Sequence, residues 1–400
     1  MPKLSTKVPA VDTRPEHELL LCCARTCIDA EKAERIRNLL QEDIDWDYLI
    51  RTALSHGVMP LLYRSLNTTC PEVVPKATLA QLRDYFRSLA QHNLFLTAEL
   101  LKLLNLFETH EIPAIPFKGP VLAVSAYGDL SLRQFCDLDI LVHPRDVPRA
   151  KNLLISQGYQ LQGELTWEYH FVHKDTGVNV DLHQAIAASH ILSLDFEGLW
   201  SRLQPLAVPG TTVANFLPSD LLLILCVQWC QDCCGTRERL AQLCDVAELL
   251  RIHQEMDWVR VMEQASTLGS ERMLFLCLLL VSDFLETALP EIVLQRIQSD
   301  SVITSLAVPV RKRLFSEADE PKLLERVEAV ALWIGIRERL QDRLRHFFAL
   351  MHRAGWMTPN ARDQAFMPLP ASISFLYYLI RPLRLLRKYG LSPLKRILEF

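Results

Sequence analysis

Two aspartates, Asp137 and Asp139, stand two apart in CDLDILV (residues 136–142), a run that is otherwise apolar. Residues i and i+2 of a β-strand project from the same face. The spacing therefore predicts two carboxylates side by side on one strand, with Leu138 and Ile140 turned to the core. Like charges so placed are destabilising unless a cation sits between them, which points to a divalent metal site. Further on, Asp181 and His183 are also two apart, in VNVDLH (residues 178–183), and share a face of a later strand. Upstream, Lys118-Gly119 closes a short extended run, and Arg133 lies in the loop that leads to the Asp-x-Asp strand.

Each of these residues has a use in phosphoryl transfer. A glycine at a strand-to-helix turn lets a phosphate approach the backbone, and a helix N-terminus offers N–H groups and a positive dipole end. Lys118 is placed to neutralise a phosphate. Arg133 is expected either to fork onto a phosphate oxygen or to form an ion pair with Asp129. Asp137 and Asp139 suit Mg²⁺, a hard cation that favours carboxylate and phosphate oxygens. Asp181 would complete a second metal position, with two ions roughly 3.5–4 Å apart. His183 is expected to orient Asp181 or to pack, with direct catalysis as the alternative. His170 and His173 are read as surface or packing residues.

The order Lys-Gly, Tyr, Arg, Asp-x-Asp-hydrophobic, Gly-Tyr and Val-Asp-Leu-His is carried by Lys118, Gly119, Tyr127, Arg133, Asp137, Asp139, Gly158, Tyr159, Asp181 and His183. It resembles the uncharacterised nucleotidyltransferase family of bacterial proteins, within the DNA polymerase beta-like nucleotidyltransferase superfamily. The resemblance extends to Asp45, Trp46, Gly57, Val58, Pro60, Leu61, Leu62 and Tyr63 upstream, and to Arg239-Leu240 and Cys244-Asp245 downstream. It implies that Asp137 and Asp139 bind two Mg²⁺ ions and that Asp181 binds the one that activates an acceptor hydroxyl. Tyr127 and His183 take supporting positions around them. An NTP, with ATP the expected choice, would donate a nucleoside monophosphate and release pyrophosphate. The acceptor stays open among a small molecule, a sugar, an RNA end and a protein side chain. A catalytically degenerate nucleotide- or partner-binding protein and a toxin-like enzyme acting on RNA or protein are the alternatives. The superfamily's Gly-Ser is Gly119-Pro120 here, which removes a hydroxyl and a backbone N–H. Phosphate contact would then lean on Lys118, Arg133 and the next helical N–H groups.

The elements that must position these residues follow from periodicity. A chain of 400 residues suggests about two or three domains. Its 50% hydrophobic content with only 13 glycines favours long helices over an all-β architecture. Helical spacing begins near Pro15. Asp45 is a plausible N-cap before the stripe Trp46, Leu49, Ala53 and Leu54, and Gly57 a C-terminal cap. A long helix is expected from about Ala77 to Glu108. The period then changes: a strand over Ile112–Pro116, a helix over Val121–Tyr127 ended by Gly128-Asp129, and a strand over Cys136–His143. A helix from Pro144 closes at Gly158-Tyr159, and a hairpin pairs Tyr169–Lys174 with Val178–His183 through Asp175-Thr176-Gly177. Helices follow over Pro218–Trp229, Arg237–His253, Trp258–Thr267 and Glu271–Thr287. The expected fold is α+β: helices over residues 1–109, a small mixed-sheet nucleotidyltransferase-type core over 110–205 with at least four strands, and helices over 206–400 ending in a basic amphipathic tail. The helical flanks are expected to wall the cleft and select the acceptor. Residues 44–57 and 256–269 echo each other, Asp-Trp opening and Gly closing, as a duplicated unit or as two convergent capped helices.

The net charge of −4, with both signs interspersed, gives no long-range pull on nucleic acid, so a long nucleic acid partner is not expected. Eleven cysteines, several inside apolar helical patterns, fit a reducing compartment better than a disulfide scaffold. Cys230-x-x-Cys233 is read as buried thiols rather than zinc ligands, since no second pair follows at a suitable distance. No signal-peptide core and no bilayer-length apolar run is present, and a soluble cytoplasmic protein is expected.

Overall fold

The computed structural model describes residues 14–187, 196–234 and 238–315, together with residues 332, 334–339, 341–343, 366, 367, 377 and 384. Helices α1 (Pro15–Cys23), α2 (Ala30–Leu39), α3 (Trp46–Ser55) and α4 (Met59–Thr69) precede the long α5 (Lys76–Thr109). The α3 helix starts where Asp45 accepts a hydrogen bond from the Tyr48 N–H at 2.9 Å. It stops where Gly57 takes φ +71°, a conformation that costs an L side chain about 1–2 kcal/mol.

The chain then builds a five-stranded sheet from β1 (Ala114–Pro116), β2 (Asp137–Val142), β3 (Tyr159–Glu164), β4 (Glu168–His173) and β5 (Asn179–His183). Their spatial order is β1-β2-β5-β4-β3. The β2 and β5 strands run parallel, and the other neighbours are antiparallel. On one face Leu138, Ile140, Val142, Phe171, Val180 and Leu182 meet Leu96, Leu100, Leu103 and Phe107 of α5. Val147, Ala150 and Leu154 of α7 (Val147–Ser156) join the same cluster. Each such side chain contributes about 1.5–3 kcal/mol by leaving water. That buried face also pins the register, because a one-residue slip of β2 would drive Asp137 and Asp139 into the core.

Between β1 and β2 the chain forms a single α-turn, α6 (Gly119–Leu122), which widens into a π-turn over Ala123–Tyr127 and ends at Gly128 in the left-handed region. The expected helix Val121–Tyr127 is thus a composite of the two. The helix expected from Pro144 opens as a 3-10 turn, Pro144–Asp146, before α7. After the sheet come α8 (Phe196–Ser201) and the hairpin β6 (Gln204–Val208) and β7 (Thr211–Asn215), with β7 against β1. Helices α9 (Pro218–Cys234), α10 (Leu240–Ile252), α11 (Trp258–Leu268), α12 (Glu271–Leu285), α13 (Glu291–Ser299) and α14 (Ser301–Arg313) follow. The fold is therefore mixed α+β, with helices on both sides of the sheet in sequence.

Helices from before and after the sheet share one core. Leu19, Leu49 and Leu62 lie in the same cluster as Leu222, Leu243 and Phe275, and the sheet adds Ile115, Phe117 and Leu141. Polar ties cross the same boundary: the Thr26 hydroxyl and N–H both donate to Glu248, at 2.6 and 2.9 Å. Cys226, Cys230 and Cys233 are buried here, as apolar-patterned thiols should be. The Cys234 side chain lies outside the described residues, as does the basic C-terminal stretch apart from Tyr377 and Arg384. Among the described residues no helix is long and apolar enough to cross a membrane.

Candidate active site

The face of the sheet opposite α5 carries the acidic residues. In the parallel β2–β5 ladder Asp139 lies directly across from Asp181, and Asp137 across from Asn179. Neighbouring strands are about 4.8 Å apart, so two carboxylates from different strands stand side by side, with Asp137 one pleat along. Asp139 is buried, while Asp137 and Asp181 are half-buried.

Lys118 reaches this face from the end of β1. Phe117 N–H bonds to the Asp139 carbonyl at 3.4 Å, and the chain turns at Gly119 with φ +49°. A Cβ on Gly119 would lie 3.4 Å from the Asp137 carbonyl oxygen, so the turn both needs the left-handed region and runs close beneath the Asp strand. The result puts Lys118 Nζ 3.7 Å from Asp139 Oδ1. The N–H groups after Pro120 are engaged within the turn itself. Those of Val121 and Leu122 return to the Lys118 carbonyl, at 3.1 and 3.4 Å, and Pro120 has none. The expectation that phosphate contact would lean on the next helical N–H groups is corrected on that ground.

His183 packs in a buried position, and it is His170 that engages Asp181. His183 Nε2 lies 3.2 Å from Asp139 Oδ1, not beside Asp181. Asp181 Oδ1 is instead engaged by His170 Nδ1 at 2.7 Å. The cause is the ladder: His170 and Asp181 are register partners across β4–β5. His170, read from sequence as a surface or packing residue, is thus a direct partner of an acidic site residue.

Electrostatics separate the paired aspartates. Burial, reinforced by Asp139, pushes the Asp137 carboxyl up to about 6. Burial also acts on Asp139, but Lys118 and the hydrogen bond from His183 outweigh it and hold that carboxyl well below the usual range. Lys118 itself is desolvated, yet Asp139 and Asp137 raise its pKa on balance. Burial likewise raises Glu168, which lies 3.5 Å from His183 Nδ1.

Arg133 is brought near this region and then tied down. Its Nε and Nη2 donate to the two oxygens of Asp245 on α10, at 2.8 and 2.9 Å, and Tyr127 OH donates to the same carboxylate at 2.7 Å. Asn93 of α5 secures the Arg133 loop by donating to the carbonyls of Leu130 and Arg133, at 2.7 and 2.8 Å. Asp129, the partner considered for Arg133 from sequence, accepts from Ser131 instead. Asp245 was visible in sequence only as part of a resembling Arg-Leu…Asp stretch; nothing local marked it as the Arg133 partner.

Among the described residues no three His, Cys, Asp or Glu side chains converge as a ready metal cage. Asp139 Oδ1 is engaged by His183 and Lys118, and Asp181 Oδ1 by His170. Mg²⁺ is commonly held by one or two carboxylates with water and substrate phosphates rather than by a closed protein cage. The donor set, three carboxylates on one sheet face, fits a hard cation of that kind. A cavity of about 840 Å³ lies elsewhere, among α1, α2, α12 and α14. Its charges are largely paired with one another, Lys32 with Glu286, Arg35 with Glu18 and Arg311 with Asp283, and it shares no residue with the aspartate site.

A family model described as an uncharacterised nucleotidyltransferase matches residues 42–286, more than half of the chain and the whole of the acidic face. No curated protein and no solved structure matches the chain.

Proposed function

The chain belongs to the uncharacterised nucleotidyltransferase family, and we propose that it moves a nucleoside monophosphate from an NTP, ATP first among them, to an acceptor hydroxyl and releases pyrophosphate. The observation that carries this reading is the parallel register that sets Asp139 beside Asp181, with Asp137 on the same face and Lys118 at 3.7 Å. Asp137 and Asp139 would hold Mg²⁺ against the phosphates, and Asp181 would complete a second position beside the acceptor. Mg²⁺, when bound, supplies charge neutralisation and a lowered pKa for the attacking hydroxyl. Lys118 offsets phosphate charge. The acceptor oxygen forms its bond to the α-phosphorus as the bond to pyrophosphate breaks. Arg133, already bound to Asp245, serves by fixing the loop rather than by gripping phosphate. The acceptor is a small molecule, a sugar, an RNA end or a protein side chain, chosen by the helices beside the sheet.

The test is calorimetric titration with Mg²⁺ and ATP, followed by a pyrophosphate-release assay on wild type and Asp139→Asn. Binding with release that Asp139→Asn abolishes supports transfer. Binding without release under any acceptor supplied favours a degenerate, nucleotide-holding protein.

A further inference from the structure

Beside the aspartates stand three side chains that the transfer reaction leaves without a role, namely His183, Glu168 and Phe117. His183 is almost fully enclosed, its side chain 3% exposed. Nε2 faces Asp139 Oδ1 at 3.2 Å, and Nδ1 faces Glu168 Oε2 at 3.5 Å. Glu168 is the register partner of His183 across β4–β5, so the backbone itself fixes the two as neighbours. The edge of Phe117, the residue before Lys118, meets the imidazole with centroids 5.0 Å apart and planes at 75°. The ring therefore has little freedom to turn. Among the described residues its Nδ1 is buried without a hydrogen bond, a state that costs free energy unless a partner closes on it. The carboxylate that faces Nδ1 among those residues is that of Glu168, with Oε2 at 3.5 Å.

A carboxylate oxygen thus faces each ring nitrogen. A tautomer lacking the Nε2 proton would set a lone pair against Asp139 Oδ1. We propose that Glu168 is a positioning residue: through His183 it holds Asp139 Oδ1 in place, leaving Oδ2 as the oxygen offered to a divalent cation. The inference rests on the nucleotidyl-transfer reading above. It predicts that Glu168 governs metal affinity and turnover while touching neither metal nor nucleotide. Partners that orient metal-binding side chains typically cost 10–100-fold in affinity or activity when removed.

The experiment compares wild type, Glu168→Leu and Glu168→Gln in three measurements: Mn²⁺ binding alone, ATP turnover, and ¹H–¹⁵N NMR of the histidine rings without metal. Glu168→Leu should weaken Mn²⁺ binding and lower kcat by roughly 10–100-fold, and shift the His183 Nδ1 resonance. Glu168→Gln keeps a polar partner facing Nδ1 and should recover most of both losses. Glu168→Leu with wild-type Mn²⁺ affinity, turnover and His183 resonances overturns the positioning role and leaves the transfer reading intact. The same holds if Glu168→Gln loses as much as Leu. A wild-type protein that neither binds Mn²⁺ nor releases pyrophosphate overturns the transfer reading and this inference with it.

Discussion

Replacing Asp245 by Leu strips three donors of one acceptor: Arg133 Nε and Nη2, at 2.8 and 2.9 Å, and Tyr127 OH, at 2.7 Å. The pair is enclosed, with side-chain exposures of 11% for Arg133 and 4% for Asp245. Hydrogen bonds to a charged group contribute about 1.5–3 kcal/mol each, but these three share a carboxylate and do not add. The governing quantity is the cost of leaving a buried guanidinium without its counter-charge, about 3–5 kcal/mol. That is the expected loss in a urea melt followed by circular dichroism. Arg133→Met combined with Asp245→Leu leaves no orphaned charge, so the double variant should be more stable than the sum of the single losses predicts, by about 2 kcal/mol. Steady-state kinetics of Arg133→Met then separate two roles for the arginine. A structural Arg133 leaves the KM for ATP of the folded enzyme within about threefold of wild type. A structural role is ruled out if Asp245→Leu costs under about 1 kcal/mol, or if Arg133→Met raises KM about tenfold or more with stability unchanged.

Other consequences can be checked in the same material. Gly119→Ala forces a side chain into φ +49° with its Cβ 3.4 Å from the Asp137 carbonyl; thermal or urea melts should show a loss of about 1–2 kcal/mol, and Mg²⁺-dependent turnover should fall because Asp137 shifts. His56 is held down to about 4 from 6.5 by burial, then by His17 and Arg239. Between those two values the unfolded chain takes up a proton that the folded ring refuses. Stability should thus drop with acidification across that window by up to about 1.4 kcal/mol per pH unit, and His56→Asn should remove that part of the slope. Asp45 and Asp257 cap α3 and α11 through the N–H groups of Tyr48 and Arg260, at 2.9 and 3.0 Å; either Ala substitution should cost about 1 kcal/mol in melting experiments, and comparable losses fit their matching geometry.

What could be read from the sequence was what local chemistry decides. Asp45 before an apolar stripe and Gly57 after it define α3 without help from the rest of the chain. The alternation in DLDILV assigns Leu138 and Ile140 to the core and the aspartates to the other face, because Leu138, Ile140 and Val142 make one face of β2 wholly apolar. The β3 strand is not legible in the sequence because YQLQGE is mostly exposed, an edge strand that β4 creates by pairing rather than one its own pattern announces. The hairpin of β6 and β7 is short and largely exposed for the same reason, although Pro209-Gly210 marks its turn. Which partner each site residue takes was beyond reach. Arg133 and Asp245 are 112 residues apart, and only the docking of α10 against the π-turn unites them. His170 meets Asp181, and His183 meets Asp139, because of strand register, which no spacing within a single strand reveals.

Nucleotidyl transfer at the acidic face is the reading on which the rest depends. Its direct measurement supplies ATP labelled at the α-phosphorus or, separately, at the γ-phosphorus, with Mg²⁺ and a cell extract as acceptor source. Wild type is compared with Asp139→Asn, whose folding is checked by circular dichroism. Transfer of the nucleotidyl group puts α-label on an acceptor and γ-label in released pyrophosphate, and Asp139→Asn should do neither. Label passing to the acceptor from the γ-position, or undiminished α-transfer by Asp139→Asn, would contradict it.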